Sequence, residues 1–238
     1  MTTRSAGRAV GLLLLVQVLA GLIVPYVLLL PVSSPSGFLD SAAGMAGTLR
    51  LSVLMLVVGG AASFAIAATL WPEVRERWGG LGLWLLALAT INFTLQLIEN
   101  AHWLSLLSLS QAYAASGGAQ QEMFEALGLA AHASFRWAHY SHILIVVAWL
   151  FTLFLLLHRS ALAPRPIAAA GMGAALLHFV GIILPAFGGY LMPYGDLFGA
   201  PLGVAALVLA LWLMAKGFAG AGSRAEAPPP SQAIDGMR

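Results

Sequence analysis

The chain has 238 residues, of which 60% are hydrophobic and only 8% are charged. Soluble domains carry about a quarter charged residues, so this composition excludes a water-soluble domain and indicates a protein that lies in a lipid bilayer. The net charge of +2 comes from scattered basic residues, which excludes a nucleic-acid-binding surface. The lack of cysteine excludes disulfides and thiolate metal sites.

Six apolar stretches are each long enough to cross a membrane, which takes about 20 residues per helix. They cover residues 8–31, 49–71, 81–108, 138–158, 166–190 and 197–217. The first runs on through Leu30, which is too long for the apolar region of a signal peptide. We therefore predict an all-α, six-transmembrane-helix bundle over residues 1–217. Residues 218–238 are rich in Ala, Gly and Pro and predict a disordered cytoplasmic tail.

Two local features of these stretches concern the packing of the helices. Small residues at Gly59–Gly60 and Gly171 favour close approach of neighbouring helices in a membrane. Between the third and fourth stretches, Phe124, Leu127 and Leu129 lie close to one helical face. This pattern fits a short amphipathic helix on the outer surface or an extension of helix four, and both interpretations stay open.

The positions of lysine and arginine predict the orientation, because basic residues concentrate on the cytoplasmic side. In a six-helix topology, four regions lie on the same side: the N-terminus, the connections after the second and fourth helices, and the C-terminus. These regions carry Arg4, Arg8, Arg75, Arg77, Arg159, Arg165, Lys216 and Arg224. The opposite side has only Arg50 and Arg136. We expect a multi-pass protein of the cell inner membrane, with the bilayer as its partner and both termini cytoplasmic.

Polar side chains inside a membrane are costly and mark functional positions. Asn92, Gln96, Glu99 and His102 follow one another at spacings of four and three, which places them in one stripe along the third helix. We expect this stripe to face the interior of the bundle.

Further polar residues lie at a similar predicted depth on other helices. His139 and His142 share a face of the fourth helix, His178 lies in the fifth, and Arg50 and Arg136 begin the second and fourth. Together with the stripe they predict a polar pocket in the outer half of the bundle.

Three interpretations of this pocket stay open. A metal site could use Glu99, His102, His139, His142 and His178, since Glu-x-x-His occurs in carboxylate-bridged iron bundles and imidazole also suits zinc or copper. A haem could be held by His102 and His178. The third interpretation is a hydrogen-bonded network in which Glu99 pairs with Arg50 or Arg136.

Three stretches of the chain also resemble a known family. Residues 104–111, 155–165 and 210–217, with the spacing of the helices, resemble the bacterial six-helix membrane family catalogued as domain of unknown function 4386. The resemblance implies a membrane location and six helices but no activity. Our first functional hypothesis is the binding or sensing of a small lipophilic ligand in the polar pocket. The alternatives are a metal- or haem-dependent membrane enzyme and a small-solute transporter.

Overall fold

The computed structural model describes residues 2–32, 37–117, 119–186 and 195–219. These residues form helices and connecting turns, without a strand among them. The α-helices are α1 (Thr3–Ile23), α2 (Phe38–Ser41), α3 (Ala46–Ala115), α4 (Gln121–Ser160), α5 (Arg165–Ala186) and α6 (Gly195–Lys216). Five of them are long and apolar enough to cross a membrane, which confirms the predicted helical membrane bundle. Residues 220–238, most of the predicted tail, lie outside the described residues.

Helix α3 contains two of the six predicted spans. Its 70 residues would extend about 105 Å at 1.5 Å per residue, far more than a bilayer core of about 30 Å. The helical backbone is broken at Trp78, where φ is −127° and ψ is 26°. Beyond this break the chain folds back, since Asn92 donates a hydrogen bond to Ser63. We call the two arms α3a (46–77) and α3b (79–115).

The membrane-crossing helices form a closed ring. Helix α1 packs against α3 and α6, while α4 packs against α3 and α5, and α5 against α6. A Cβ atom on Gly59 of α3a would lie 3.2 Å from Ala20 of α1, so α3a is the arm beside α1. Glu99 of α3b contacts α4. The order around the ring is therefore α1, α3a, α3b, α4, α5 and α6.

The two ends of the ring differ. At the end that we call the terminal end, α1 begins and α6 ends, and a Cβ atom on Gly7 would overlap the backbone of Gly217 and Phe218. The guanidinium of Arg159 lies 5.7 Å from the ring centre of Trp78, so the α3 break and the end of α4 lie there too. We call the opposite end, with α2 and the α3–α4 turn, the loop end.

Helices α3b and α4 extend together at the loop end. Because α4 runs unbroken from Gln121 to Ser160, the segment around Phe124 is an extension of this helix and not a separate surface helix. Helix α2 packs on the extended pair, since Ser110 accepts a hydrogen bond from Ala43 N–H (2.9 Å) and donates one to the Leu39 carbonyl (2.7 Å). A small apolar core forms beneath α2 from Val24, Leu29, Val32, Phe38, Ala42, Leu49, Trp103, Leu106 and Leu107.

Candidate functional site: a buried carboxylate between two histidines

The polar stripe of α3b faces the interior of the bundle, as its spacing predicts. Asn92, Gln96 and Glu99 are each less than a tenth exposed, and Asn100 is also buried. His102, the last member of the predicted stripe, is half-buried. The buried carboxylate of Glu99 is the costliest of these groups in an apolar surrounding, so its partners define the site.

Glu99 lies between two histidines of α4. Its Oε1 is 3.0 Å from Nδ1 of His139, and its Oε2 is 2.6 Å from Nδ1 of His142. The three-residue spacing of the histidines turns both rings toward α3b. The His139 side chain is 41% exposed, whereas those of His142 and Glu99 are 9% and 7% exposed. The site thus reaches from a half-exposed ring into the bundle.

A chain of hydrogen bonds continues from His142 to α3a. Nε2 of His142 lies 3.0 Å from Oδ1 of Asn92, and Nδ2 of Asn92 donates to Oγ of Ser63 at 3.0 Å. Ser63 in turn donates to the backbone carbonyl of Gly60 at 2.6 Å. Three helical segments, α3a, α3b and α4, are therefore joined by one network.

This chain fixes the position of a proton on His142. The hydroxyl of Ser63 must donate to Gly60, because a carbonyl only accepts. The Asn92 amide must then donate to Ser63, so its Oδ1 accepts from Nε2–H of His142. With Nε2 protonated, the 2.6 Å contact from Nδ1 to Glu99 also needs one proton, on the ring or on the carboxyl group. The Glu99–His142 pair therefore holds one proton between its members.

A second, shorter branch orients the neighbouring amides. Nε2 of Gln96 donates to Oδ1 of Asn100 at 3.1 Å, and Nδ2 of Asn100 donates to the Val53 carbonyl of α3a at 3.4 Å. This branch satisfies polar groups of the stripe that do not touch Glu99. It also fixes α3b against α3a at the depth of the site.

The other predicted site residues lie away from Glu99. Arg50 and Arg136 are exposed, and the partners that the structure gives Glu99 are His139 and His142 rather than an arginine. Burying a guanidinium would cost several kcal/mol of desolvation, whereas an imidazole can share a proton with the carboxylate. The ring of His178 packs at Gly199 of α6. His102 lies on α3 and His178 on α5, and among the described residues α3 does not pack against α5, so the two proposed haem ligands lie on helices that are not neighbours.

The arrangement of the donors bears on the metal hypothesis. In the part of the chain that the structure describes, no group of three His, Asp or Glu side chains is placed to hold a metal ion. Both histidines direct Nδ1 to Glu99, and Nε2 of His142 is directed to Asn92. These nitrogens serve hydrogen bonds here. The proposed set of Glu99, His102, His139, His142 and His178 stays a hypothesis that metal analysis can test.

Sequence reasoning missed the part of the network on α3a. Ser63 follows the small residues Gly59 and Gly60, which we interpreted only as a helix contact. The feature that could have indicated its role is the hydroxyl of Ser63, which lies on a helix next to the polar stripe in the chain order. The close approach predicted for these glycines is present, since a Cβ atom on Gly60 would lie 2.9 Å from Phe93.

The all-helical fold and the apolar ring define a multi-pass helical membrane protein. Residues 9–217 match the family described as Domain of unknown function (DUF4386), and the chain belongs to that family. No curated protein and no solved structure matches the chain.

Proposed function

We propose that this protein is a proton-binding membrane sensor whose site is the Glu99–His139–His142 network. The observation that supports the proposal is the buried carboxylate of Glu99 between the Nδ1 atoms of two histidines. Ionisable residues within membrane helices are functional sites by default, and proton binding is one of their common roles. Histidine is the side chain whose charge most readily changes near neutral pH.

The network has a neutral resting state. With Glu99 ionised, His142 doubly protonated and His139 neutral, the charges cancel and every contact has one proton. Removing the proton between Nδ1 of His142 and Oε2 of Glu99 would leave two acceptors facing each other at 2.6 Å. Because two acceptors repel at that distance, the α3b–α4 contact would open. A change in protonation thus becomes a change in helix packing, as in other pH-driven switches.

The site lies at the loop end of the membrane span. The lysine and arginine distribution predicts that this end faces the outside of the cell. The half-exposed His139 then senses the outer medium, and the cytoplasmic termini deliver the response. Labelling of tags at Met1 and Arg238 in intact cells tests this orientation, since both tags should be protected from outside reagents.

Infrared spectroscopy of the purified chain in lipid tests the proposal. Acidification should produce a protonated-carboxyl band that is absent in Glu99→Gln. The matched control is Glu122→Gln, which changes an exposed carboxylate at the start of α4 and should retain the band. A band that persists unchanged in Glu99→Gln would reject Glu99 as the proton-binding group.

A lipophilic ligand is a second candidate, and a groove between α5 and α6 favours it. The groove has a volume of about 860 Å³, which is within the range of about 300–1,000 Å³ for ligand sites. Its lining is Pro166, Ile167, Ala170, Ala174, Leu197, Ala200, Pro201, Val204, Ala205 and Val208. It is thus apolar and separate from the polar network, where our sequence-based hypothesis had located the ligand. Ala170→Trp should block binding of a fluorescent fatty acid, while Ala169→Trp, outside the lining, should not.

The enzyme and transporter hypotheses are tested by different measurements. Metal analysis and an optical spectrum of the purified protein would detect bound metal or haem. Solute uptake into liposomes would reveal transport. A stoichiometric metal lost in His139→Phe would favour the metal-dependent enzyme over the sensor.

A further inference from the structure

We infer that the Glu99 site exchanges its proton with the loop end only, and that the protein does not conduct protons across the membrane. This inference rests on the proposed proton-binding function and adds the direction of access. A transporter needs a polar path from the site to each side in turn. The network shows a path to one side.

On the loop-end side, only the outer ring of the network is substantially exposed. The side chain of His139 is 41% exposed, whereas those of Glu99 and His142 are 7% and 9% exposed, and Asn92 is buried. The His139 ring stacks on Phe135, with 5.7 Å between ring centres and 24° between planes. Since Nδ1 of His139 is bonded to Glu99, this ring connects the carboxylate to the half-exposed surface.

On the terminal side, the hydrogen-bond chain stops. Its last link is Ser63 donating to the Gly60 carbonyl, an atom that has no proton to pass on. The residues that follow toward the terminal end belong to the large apolar core, which includes Ile66, Leu70, Leu85, Leu88 and Leu153.

Other polar groups of the core do not extend the chain. Thr152 donates to the Ala148 carbonyl within α4. Nε1 of Trp149 and Oε1 of Gln17 are buried, and within the described residues neither has a hydrogen-bond partner. Among the described residues, Ser63 thus has no hydrogen-bonded group on the terminal side to which a proton could pass.

Few other charges approach the site from the surrounding elements. Among the described residues, the titratable and charged groups toward the loop end include Asp40 on α2, Arg50 on α3a, His102 on α3b, Glu122, Glu125, His132, Arg136 and Tyr140 on α4, and His178 on α5. Arg50, Asp40 and Arg136 are exposed, and His132 packs edge-on against Phe38, 5.1 Å away. In the described residues the ion pairs of Glu99 are with His139 and His142.

The proton step follows from these contacts. A proton from water bonds to Nε2 of His139, the Nδ1–H bond of that ring breaks, and its proton forms an O–H bond on Oε1 of Glu99. His139 ends neutral as the other tautomer and accepts a hydrogen bond from the new carboxyl group. One proton has entered, the charge of the site has risen by one, and Oε2 still accepts from His142.

The rate of protonation of Glu99 tests the direction of access. After a rapid fall in pH, the growth of the Glu99 carboxyl band should be at least about tenfold slower in His139→Phe, which keeps the ring stack but cannot relay a proton. His139→Asn should slow it too, although its amide can still donate to Glu99. Thr152→Val, which removes a hydroxyl outside the network on the closed side, should leave the rate unchanged. Liposomes containing the full chain and an enclosed pH dye should show no proton flux above protein-free liposomes.

Each outcome has a distinct meaning. Equal rates in wild type and both His139 variants would overturn the one-sided access and leave the proton-binding function standing. A slowing by Thr152→Val, or a proton flux that Glu99→Gln abolishes, would overturn it as well. Absence of any Glu99 band in the wild type would reject the proposed function itself.

Discussion

Two regions of the ring are held together by different physical means. Between α3b and α4, Glu99 joins two imidazoles through hydrogen bonds of 3.0 and 2.6 Å. Around α5, large apolar side chains pack against glycines. Phe154 of α4 occupies the space at Gly171, and Phe198 of α6 occupies the space at Gly181. Apolar packing of this kind does not depend on pH. The proposed pH-dependent contact is therefore α3b–α4, and the contacts at α5 are expected to be independent of pH.

The apolar contacts and the polar network also respond differently to mutation. Removing a methyl group from an apolar contact loses packing alone. Removing one member of a buried polar network leaves its partners unsatisfied, which costs more than the net gain of the bond. Substitutions at the two kinds of contact should therefore differ in their cost to stability.

His142→Leu should have the largest effect. It removes the closest partner of Glu99 and leaves Asn92 without its donor, so the carboxylate is buried with His139 alone. Breaking a buried charge pair costs roughly 3–5 kcal/mol, and we expect a loss of this size in the free energy of unfolding in detergent. His102→Leu on the half-buried end of α3b is the control and should cost little. Equal losses in the two variants would contradict the network.

Gly171→Ala should have an intermediate effect and should act independently of pH. A Cβ atom at this position overlaps the ring of Phe154, and such overpacking costs roughly 1–3 kcal/mol. Gly173→Ala, two residues along α5, meets no atom within 4 Å and should be neutral or slightly stabilising. Thermal melts of both variants at acidic and neutral pH measure the effect. A pH-dependent difference between them would show that α5 is not a passive contact.

Glu99→Gln should have the smallest effect on stability. The Gln carbonyl can accept from Nδ1–H of His139, and its amide can donate to Nδ1 of a neutral His142, so both contacts survive. We expect a change of about 1 kcal/mol or less in the free energy of unfolding. The pH dependence of that free energy, however, should be reduced. A loss as large as that of His142→Leu would show that Glu99 serves packing and not proton binding.

Distance along the chain predicts the apolar spans, and it also places the polar residues at matching positions along neighbouring helices. Glu99 and the α4 histidines meet because α3b and α4 are antiparallel neighbours at matching depth. Depth does not fix the rotation of each helix about its axis, so the sequence does not predict which side chains face each other. His102 and His178 lie at a depth similar to that of Glu99, yet the structure places His178 against α6. The fold-back of α3 at Trp78 lies between the predicted spans 49–71 and 81–108, but the role of Ser63 also depends on the rotation of α3a about its axis, which the spans do not specify.

Nitrogen NMR of ¹⁵N-histidine-labelled protein in lipid shows whether the Glu99–His142 pair holds one proton. In the wild type at neutral pH, Nε2 of His142 should have the shift of a protonated nitrogen, with Nδ1 also protonated or sharing its proton with Glu99. In Glu99→Gln, Nε2 should stay protonated while Nδ1 takes the shift of a bare acceptor. A wild-type spectrum in which Nε2 of His142 is unprotonated would contradict the Asn92–Ser63–Gly60 chain and the proton-binding site built on it.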